Sequence, residues 1–204
     1  SAYVCYEAQK LPLIKHLFKA QRPERVIIFT GSKIKTKDLA VSLSRAGFNV
    51  CAMHSDLAQS ERDEAMYAFR AGKVDVLVAT DIVARGIDID DIQLVINYDV
   101  PHDEEDYVHR IGRTARAGRN GRAVTLVNEK DQYKFRQIER FLEKDVEKAA
   151  MPAELGEGPA YGKTEKQERK GERTKKRGSR GDSRRRKGDK KPSQPSVAAK
   201  QNDS

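Results

Sequence analysis

Tryptophan is absent from this chain and cysteine occurs only twice. Cys5 and Cys51 lie far apart, in the apolar strand-like stretches Tyr3 to Tyr6 and Asn49 to Met53. That spacing offers neither a zinc site nor a disulfide framework, and it reads as two buried, reduced thiols. No apolar run approaches the roughly 18 residues of a membrane span. No secretory leader precedes the first strand-like segment, so the cytoplasm is the expected compartment. The chain opens on Ser1 rather than Met, which reads as a piece cut from something longer.

Excess positive charge is missing from most of the chain. The net charge of +9 comes from 40 Lys+Arg against 31 Asp+Glu. From Lys163 onward there are 16 basic and 6 acidic residues, so the first 162 residues are close to neutral. This gives a body of residues 1–150, long enough for one domain with a sizeable core. A linker over 151–162 is marked by Gly156, Gly158, Pro159 and Gly162. Residues 163–204 hold almost no large apolar side chain and read as a disordered polycation. No aromatic residue interleaves those charges, so base stacking is not expected there.

Within the body, short apolar runs alternate with segments of helical period. Strands are expected at Arg25 to Thr30, Asn49 to Met53, Val74 to Ala79, Gln93 to Tyr98 and Arg122 to Val127. Helices are expected at Lys35 to Ala46, Ser60 to Ala71, Asp103 to Gly112 and Lys130 to Glu143, with a further apolar stripe at Leu11, Ile14 and Leu17. The alternation predicts an α/β domain with a mainly parallel sheet flanked by helices. Such sheets bind ligands beyond the carboxyl ends of their strands. Gly31-Ser32-Lys33, His54 to Arg62 and Thr80 to Asp88 all fall at those ends.

The run His109-Arg110-Ile111-Gly112-Arg113-Thr114-Ala115-Arg116 sets three arginines within seven residues. Arginine cannot shed its charge inside a protein, so such a cluster needs anions. Its planar fork grips phosphate oxygens in bidentate fashion. At a nucleotide's terminal phosphate it stabilises the charge of a phosphoryl-transfer transition state.

With these pieces in order, the chain resembles the second RecA-like domain of bacterial-type DEAD-box RNA helicases. The resemblance runs from about Ser1 to Asp145. It rests on IIFTGSK (Ile27 to Lys33), on His54-Ser55-Asp56 followed by Gln59-Ser60-Glu61-Arg62, on ATDIVARGIDI (Ala79 to Ile89), and on YVHRIGRTAR (Tyr107 to Arg116). His109 favours this branch over the related DEAH type, which usually carries Gln there. It also argues, with ATDIVARGIDI, against a DNA-directed motor. The chain departs from the family at Ser55, where glycine is usual, and at Ala115, where glycine is frequent.

The resemblance implies a RecA-like three-layer fold and ATP bound, with Mg²⁺, in a cleft shared with an N-terminal RecA-like domain. It implies that Arg113 and Arg116 are the arginines that reach the phosphates. Removing such an arginine costs about 10³ to 10⁵ in rate, roughly 4 to 7 kcal/mol of barrier. Asp88 matches the acid that binds the ribose hydroxyls, with a turn or helix-cap acid as the other reading. Gly86 matches a close backbone approach to the nucleotide. Arg110 either joins that nucleotide set or braces the motif through acids such as those at 103–106. His109 matches a residue coupling the ATP and RNA sites, or else a packed histidine. Gly31, Ser32, Lys33, Gln59, Arg62, Thr80 and Asp81 match the elements that hold an RNA backbone. Such contacts position a strand without reading its sequence. Arg62 could instead pair with Glu61 or Asp63.

Two short strings imitate the missing half of such a motor. Gly162-Lys163-Thr164 ends like a phosphate loop, but the glycine that the motif requires at 157 is Glu157. Asp103-Glu104-Glu105-Asp106 reads as an acidic helix start. The chain alone is therefore expected to lack ATPase and unwinding activity. A non-catalytic RNA-binding module on a helicase-like scaffold is the competing reading, and Arg113, Arg116 and Asp88 argue against it. The basic tail is either an RNA tether or a solubilising arm.

Overall fold

The structure, a computed structural model, describes residues 1–81, 92–114 and 121–162. Among them the elements run β1 (Ala2–Val4), α1 (Glu7–Gln21), β2 (Val26–Thr30), α2 (Lys33–Arg45), β3 (Val50–Met53), α3 (Gln59–Arg70) and β4 (Val76–Thr80). They continue with β5 (Leu94–Asn97), α4 (Glu104–Ile111), β6 (Arg122–Val127), α5 (Gln132–Phe141), the two-residue β7 (Lys148–Ala149) and a 3-10 turn at Ala153–Leu155. The strands form one sheet in the order β3-β4-β2-β5-β6-β1-β7, and every pairing is parallel.

A fully parallel sheet must be covered on both faces, and its strands read as continuous apolar runs. β2 is the clearest case, because all five of its residues are buried. Val26 and Ile28 pack with Val76, Val78, Leu94 and Ile96 beneath α1 and α2. Ile27 and Phe29 face the other way, with Leu77, Ala79 and Val95, beneath Met66 and Phe69 of α3. Burying each such side chain contributes about 1.5–3 kcal/mol. α4 and α5 cover the rest of that second face, with Tyr107, Phe135 and Ile138 against Ala2 and Val127. The helices thus make two layers around the sheet, the three-layer RecA-like arrangement.

Local chemistry sets the helix starts. Ser32 caps α2, its hydroxyl accepting from the Lys35 amide. Asp103 caps α4 by accepting from the Glu105 amide, and Glu104, Glu105 and Asp106 fill its first turn. The acidic string is therefore a helix start, as expected. Cys5 is buried and Cys51 only half-buried, which departs from the expectation of two buried thiols. Burial pushes both thiols up to about 11.

One expectation needs correction. The segment read as a linker is part of the body, whose compact unit extends through Tyr161. Met151 and Leu155 pack against the core beneath α1. The Gln9 side chain donates to the carbonyls of Leu155 (2.8 Å) and Glu157 (3.2 Å), and Gln132 donates to that of Ala160 (2.9 Å). Tyr161 stacks edge-on with Phe135 and its hydroxyl bonds Glu139, which also binds Lys148. One of the glycines that marked the segment as a linker serves close approach, while Gly156 takes a positive φ of 73°. A Cβ on Gly158 would sit 1.9 Å from the Val4 carbonyl oxygen. The tail from Lys163 to Ser204, and with it most of Gly162-Lys163-Thr164, lies outside the described residues.

Candidate functional site

The carboxyl ends of β2 to β6 lie along one edge of the sheet, and the loops that leave them carry the expected motifs. A cleft of about 510 Å³ opens there, lined among others by Gly31, Ser32, Lys35, Asp81, Asp99 and Arg110.

Arg110 is the best-defined group in this region. It is only 3% exposed, on the inner face of α4. Its Nε and Nη2 donate to the two carboxylate oxygens of Asp81, each at 2.6 Å. Its Nη1 donates to the Asn97 side-chain oxygen and to the Asp99 carbonyl, both at 3.0 Å. The guanidinium lies 5.0 Å from the centre of the Phe29 ring. Asn97 in turn donates to Thr125, which lies within 3.3 Å of the Tyr107 hydroxyl. Of the two readings for Arg110, this geometry is that of a brace. The acid is Asp81, at the end of β4, rather than the helix start at 103–106. The same pairing occupies both oxygens of Asp81, which had been assigned to RNA. Thr80 ends β4 half-buried beside it.

A second buried network begins at Asp99, just beyond β5. Its carboxylate accepts from the Gly31 amide (2.8 Å), from Lys35 Nζ (2.6 Å) and from Lys10 Nζ (3.3 Å). Lys10 is fully buried in α1, paired with Glu7 at 2.9 Å and lying 4.9 Å from the centre of the Tyr98 ring. Burial works to raise the Asp99 pKa. The Lys35 hydrogen bond, the Gly31 amide and the Lys10 charge outweigh it and hold the carboxyl below its ordinary value.

The expected RNA-facing groups lie on the β2, β3 and β4 ends, and most are engaged within the protein. The Gly31 amide is taken by Asp99, and the Ser32 hydroxyl caps α2. Lys33 and Lys37 grip Asp56 from either side, at 2.8 and 3.0 Å. The Lys33 and Lys37 hydrogen bonds pull the exposed Asp56 carboxyl down to about 2. Gln59 donates to Asp63 at 2.8 Å. Arg62 donates to the Ser55 carbonyl at 3.0 Å, not to Glu61 or Asp63, and its Nε has no hydrogen-bond partner. Glu61 instead caps the start of α3 through the Ala58 amide. The serine in place of the family's glycine carries no backbone strain. The described non-glycine residues with positive φ are Arg22, Arg25 and Glu143, and Ser55 is not among them. His54, beneath this loop, is 5% exposed with an unpartnered Nδ1. Burial, then the nearby Lys37 charge, hold it below the usual imidazole value.

His109 is exposed on α4, and Arg113 is half-buried in the turn that follows. That turn is pinned from β6. A Cβ on Gly121 would fall 2.1 Å from the Thr114 carbonyl oxygen, so only glycine allows the approach. Gly86, Asp88 and Arg116 lie outside the described residues. Sequence reasoning missed Asp99, Lys10, Lys35 and Asn97, and it quoted Asp56 within a motif without giving it a role. Lys10, a charge within the apolar stripe of α1, was the one visible signal.

This arrangement can now be set beside known proteins. Residues 9–118 match the family described as "Helicase conserved C-terminal domain". The chain is a helicase C-terminal domain. Over 150 residues it is 41% identical to the ATP-dependent RNA helicase eIF4A of Scheffersomyces stipitis, covering 74% of this chain and 37% of that protein. Over 147 residues it is 40% identical to the ATP-dependent RNA helicase CshA of Listeria monocytogenes, covering 72% and 28%. The chain thus spans 37% and 28% of the length of these two relatives. The crystal structure of the Escherichia coli DEAD-box protein SrmB bound to RraA superposes with a TM-score of 0.71 at 38% identity, covering 78% of this chain and 95% of that one. The C-terminal domain of the DEAD-box protein Dbp5 gives 0.67 at 34%, covering 75% and 88%. The fold and these matches identify the second RecA-like domain of a DEAD-box protein.

Proposed function

We propose that this domain is the second motor half of an ATP-dependent RNA helicase. ATP binds between it and an N-terminal RecA-like domain, which brings the phosphate loop and the acid that holds Mg²⁺. Among the described residues no group of three or more His, Cys, Asp or Glu is arranged to hold a metal ion. Arg113 and Arg116 stabilise charge on the transferring phosphate, while Asp88 and Gly86 hold the nucleoside side. Arg110 works one step back. Its bidentate pair with Asp81 joins the β4 end to α4 and fixes the helix that leads into the turn bearing Arg113. That pair, tying the ATDIVARGIDI and HRIGRTAR elements together, is the observation that carries the reading. A pure RNA binder has no need to brace an arginine helix in this way.

Ser32, Lys33, Gln59, Arg62 and Thr80 supply contacts to the sugar-phosphate backbone of one RNA strand. His109 couples the two sites. ATP and single-stranded RNA draw the two domains together, bending the bound strand and prying a short duplex apart. Hydrolysis reopens the cleft and releases RNA. The Lys/Arg-rich tail adds sequence-independent, salt-sensitive affinity. The first domain being elsewhere, this chain alone turns over little or no ATP.

The test is RNA-stimulated ATPase of the full-length protein carrying Arg116→Ala. Turnover should fall about 10³-fold or more. Unchanged turnover removes the assignment.

A further inference from the structure

Resting on the motor reading, the geometry points to Asp99 as a positioning residue that couples the RNA-facing β2–α2 loop to the arginine helix. We infer this from the two ends of one residue. Its side chain holds the loop and its main chain holds the helix.

The loop end is explicit. The Asp99 carboxylate accepts from the Gly31 amide at 2.8 Å and from Lys35, in the first turn of α2, at 2.6 Å. Gly31 immediately precedes Ser32 and Lys33, the groups assigned to the RNA backbone. The helix end is equally explicit. The Asp99 carbonyl accepts from Arg110 Nη1 at 3.0 Å, and Arg110 sits in the last turn of α4, three residues before Arg113 in the turn that follows the helix.

Physical reasons make this link stiff. The Asp99 residue is 7% exposed. Buried Lys10 reaches the same carboxylate oxygen as Lys35, at 3.3 Å, and Lys10 is itself anchored by Glu7. Phe29, directly preceding the loop strand's last residue, lies against the Arg110 guanidinium. The Tyr98 amide, one residue before Asp99, donates to the Phe29 carbonyl at 2.9 Å. Close-packed interiors of this kind pass on small displacements instead of absorbing them. A shift of the loop on RNA binding must therefore move Asp99, and moving Asp99 repositions the carbonyl that holds Arg110. Loop geometry and arginine geometry then share one free energy of coupling.

The experiment measures steady-state ATPase of the full-length protein against RNA concentration, for wild type, Asp99→Asn and Lys35→Met. Asparagine keeps an acceptor for the Gly31 amide but discards the charge that gathers the two lysines. Lys35 is half-exposed, so Lys35→Met remains informative where Asp99→Asn fails to fold. Coupling predicts that the maximal RNA-stimulated rate falls, about five-fold or more for Asp99→Asn, while the RNA concentration for half-stimulation stays within about two-fold. Lys35→Met should move the same way by less. A purely structural role would lower the melting temperature and leave the stimulated rate of the folded protein at the wild-type value, which overturns the inference. A rise in half-stimulating RNA at an unchanged maximal rate also overturns it, since Asp99 would then only shape the loop. Wild-type protein that RNA does not stimulate at all would instead sink the motor reading on which this rests.

Discussion

The two sides of the strand-end surface hold their cations in opposite ways. On the arginine side, Arg110 is 3% exposed and locked in a bidentate pair whose acid, Asp81, keeps about a quarter of its side chain in solvent. On the α2 side, Lys33 and Lys37 are about half-exposed and share the exposed Asp56. A buried charge must be matched permanently, because leaving it alone costs several kcal/mol. An exposed pair gains little and is screened by salt. The first arrangement fixes geometry. The second keeps lysines near one another at a small cost to separate them from the carboxylate.

That contrast is broken most directly at Asp81. Asp81→Ala should strand the Arg110 charge and cost about 3 kcal/mol, a loss of roughly 6–12 °C in melting temperature for a chain of this size. Adding Arg110→Met should recover much of it, since the pair's interaction energy no longer has a member left over. A thermal scan in which Asp81→Ala melts like wild type would show that the brace carries no weight.

A smaller effect is expected at His54. Its folded-state pKa lies below the ordinary imidazole value of 6.5, so the unfolded chain binds the proton more readily. Stability is therefore complete above about 6.5 and declines as the pH falls from there toward the folded-state pKa. His54→Gln should flatten that part of the melting-temperature profile. If both proteins follow the same slope between pH 7 and 5, the buried imidazole is not its source.

The smallest change in stability belongs to Asp56→Asn. Melting temperature should hardly move, because the carboxylate is exposed and its partners remain solvated. RNA affinity is the sensitive readout, and at low salt it should rise modestly as the competing anion is lost. Weaker RNA binding would mean that Asp56 organises the two lysines for RNA instead of standing in for it.

Much of this was written locally in the chain. The strand runs of β2, β4, β5 and β6 announce a parallel sheet, and Asp103 to Asp106 announce the start of α4. The motifs fall at strand ends because loops there are short and adjacent. What escaped was long-range. Arg110 meets an acid 29 positions away, and no periodicity records that pairing. Asp99 looks like a turn acid before Pro101 until the fold brings Gly31 and Lys10 to it. Gly158 and Pro159 carried the composition of a spacer, and only the packing of Tyr161 against Phe135 shows that the segment is held. β7 has two residues, too few for any alternating pattern.

The strap that runs from Met151 to Tyr161 has a mechanical consequence. Tension applied through the tail meets Tyr161, gripped by Glu139 and Phe135 with Lys148 of β7 over its ring, and then the Ala160 carbonyl, gripped by Gln132. α5 thus bears the load as a cleat bears a mooring line. The sequence beyond Tyr161 can be lengthened or exchanged while the strand-end edge keeps its shape.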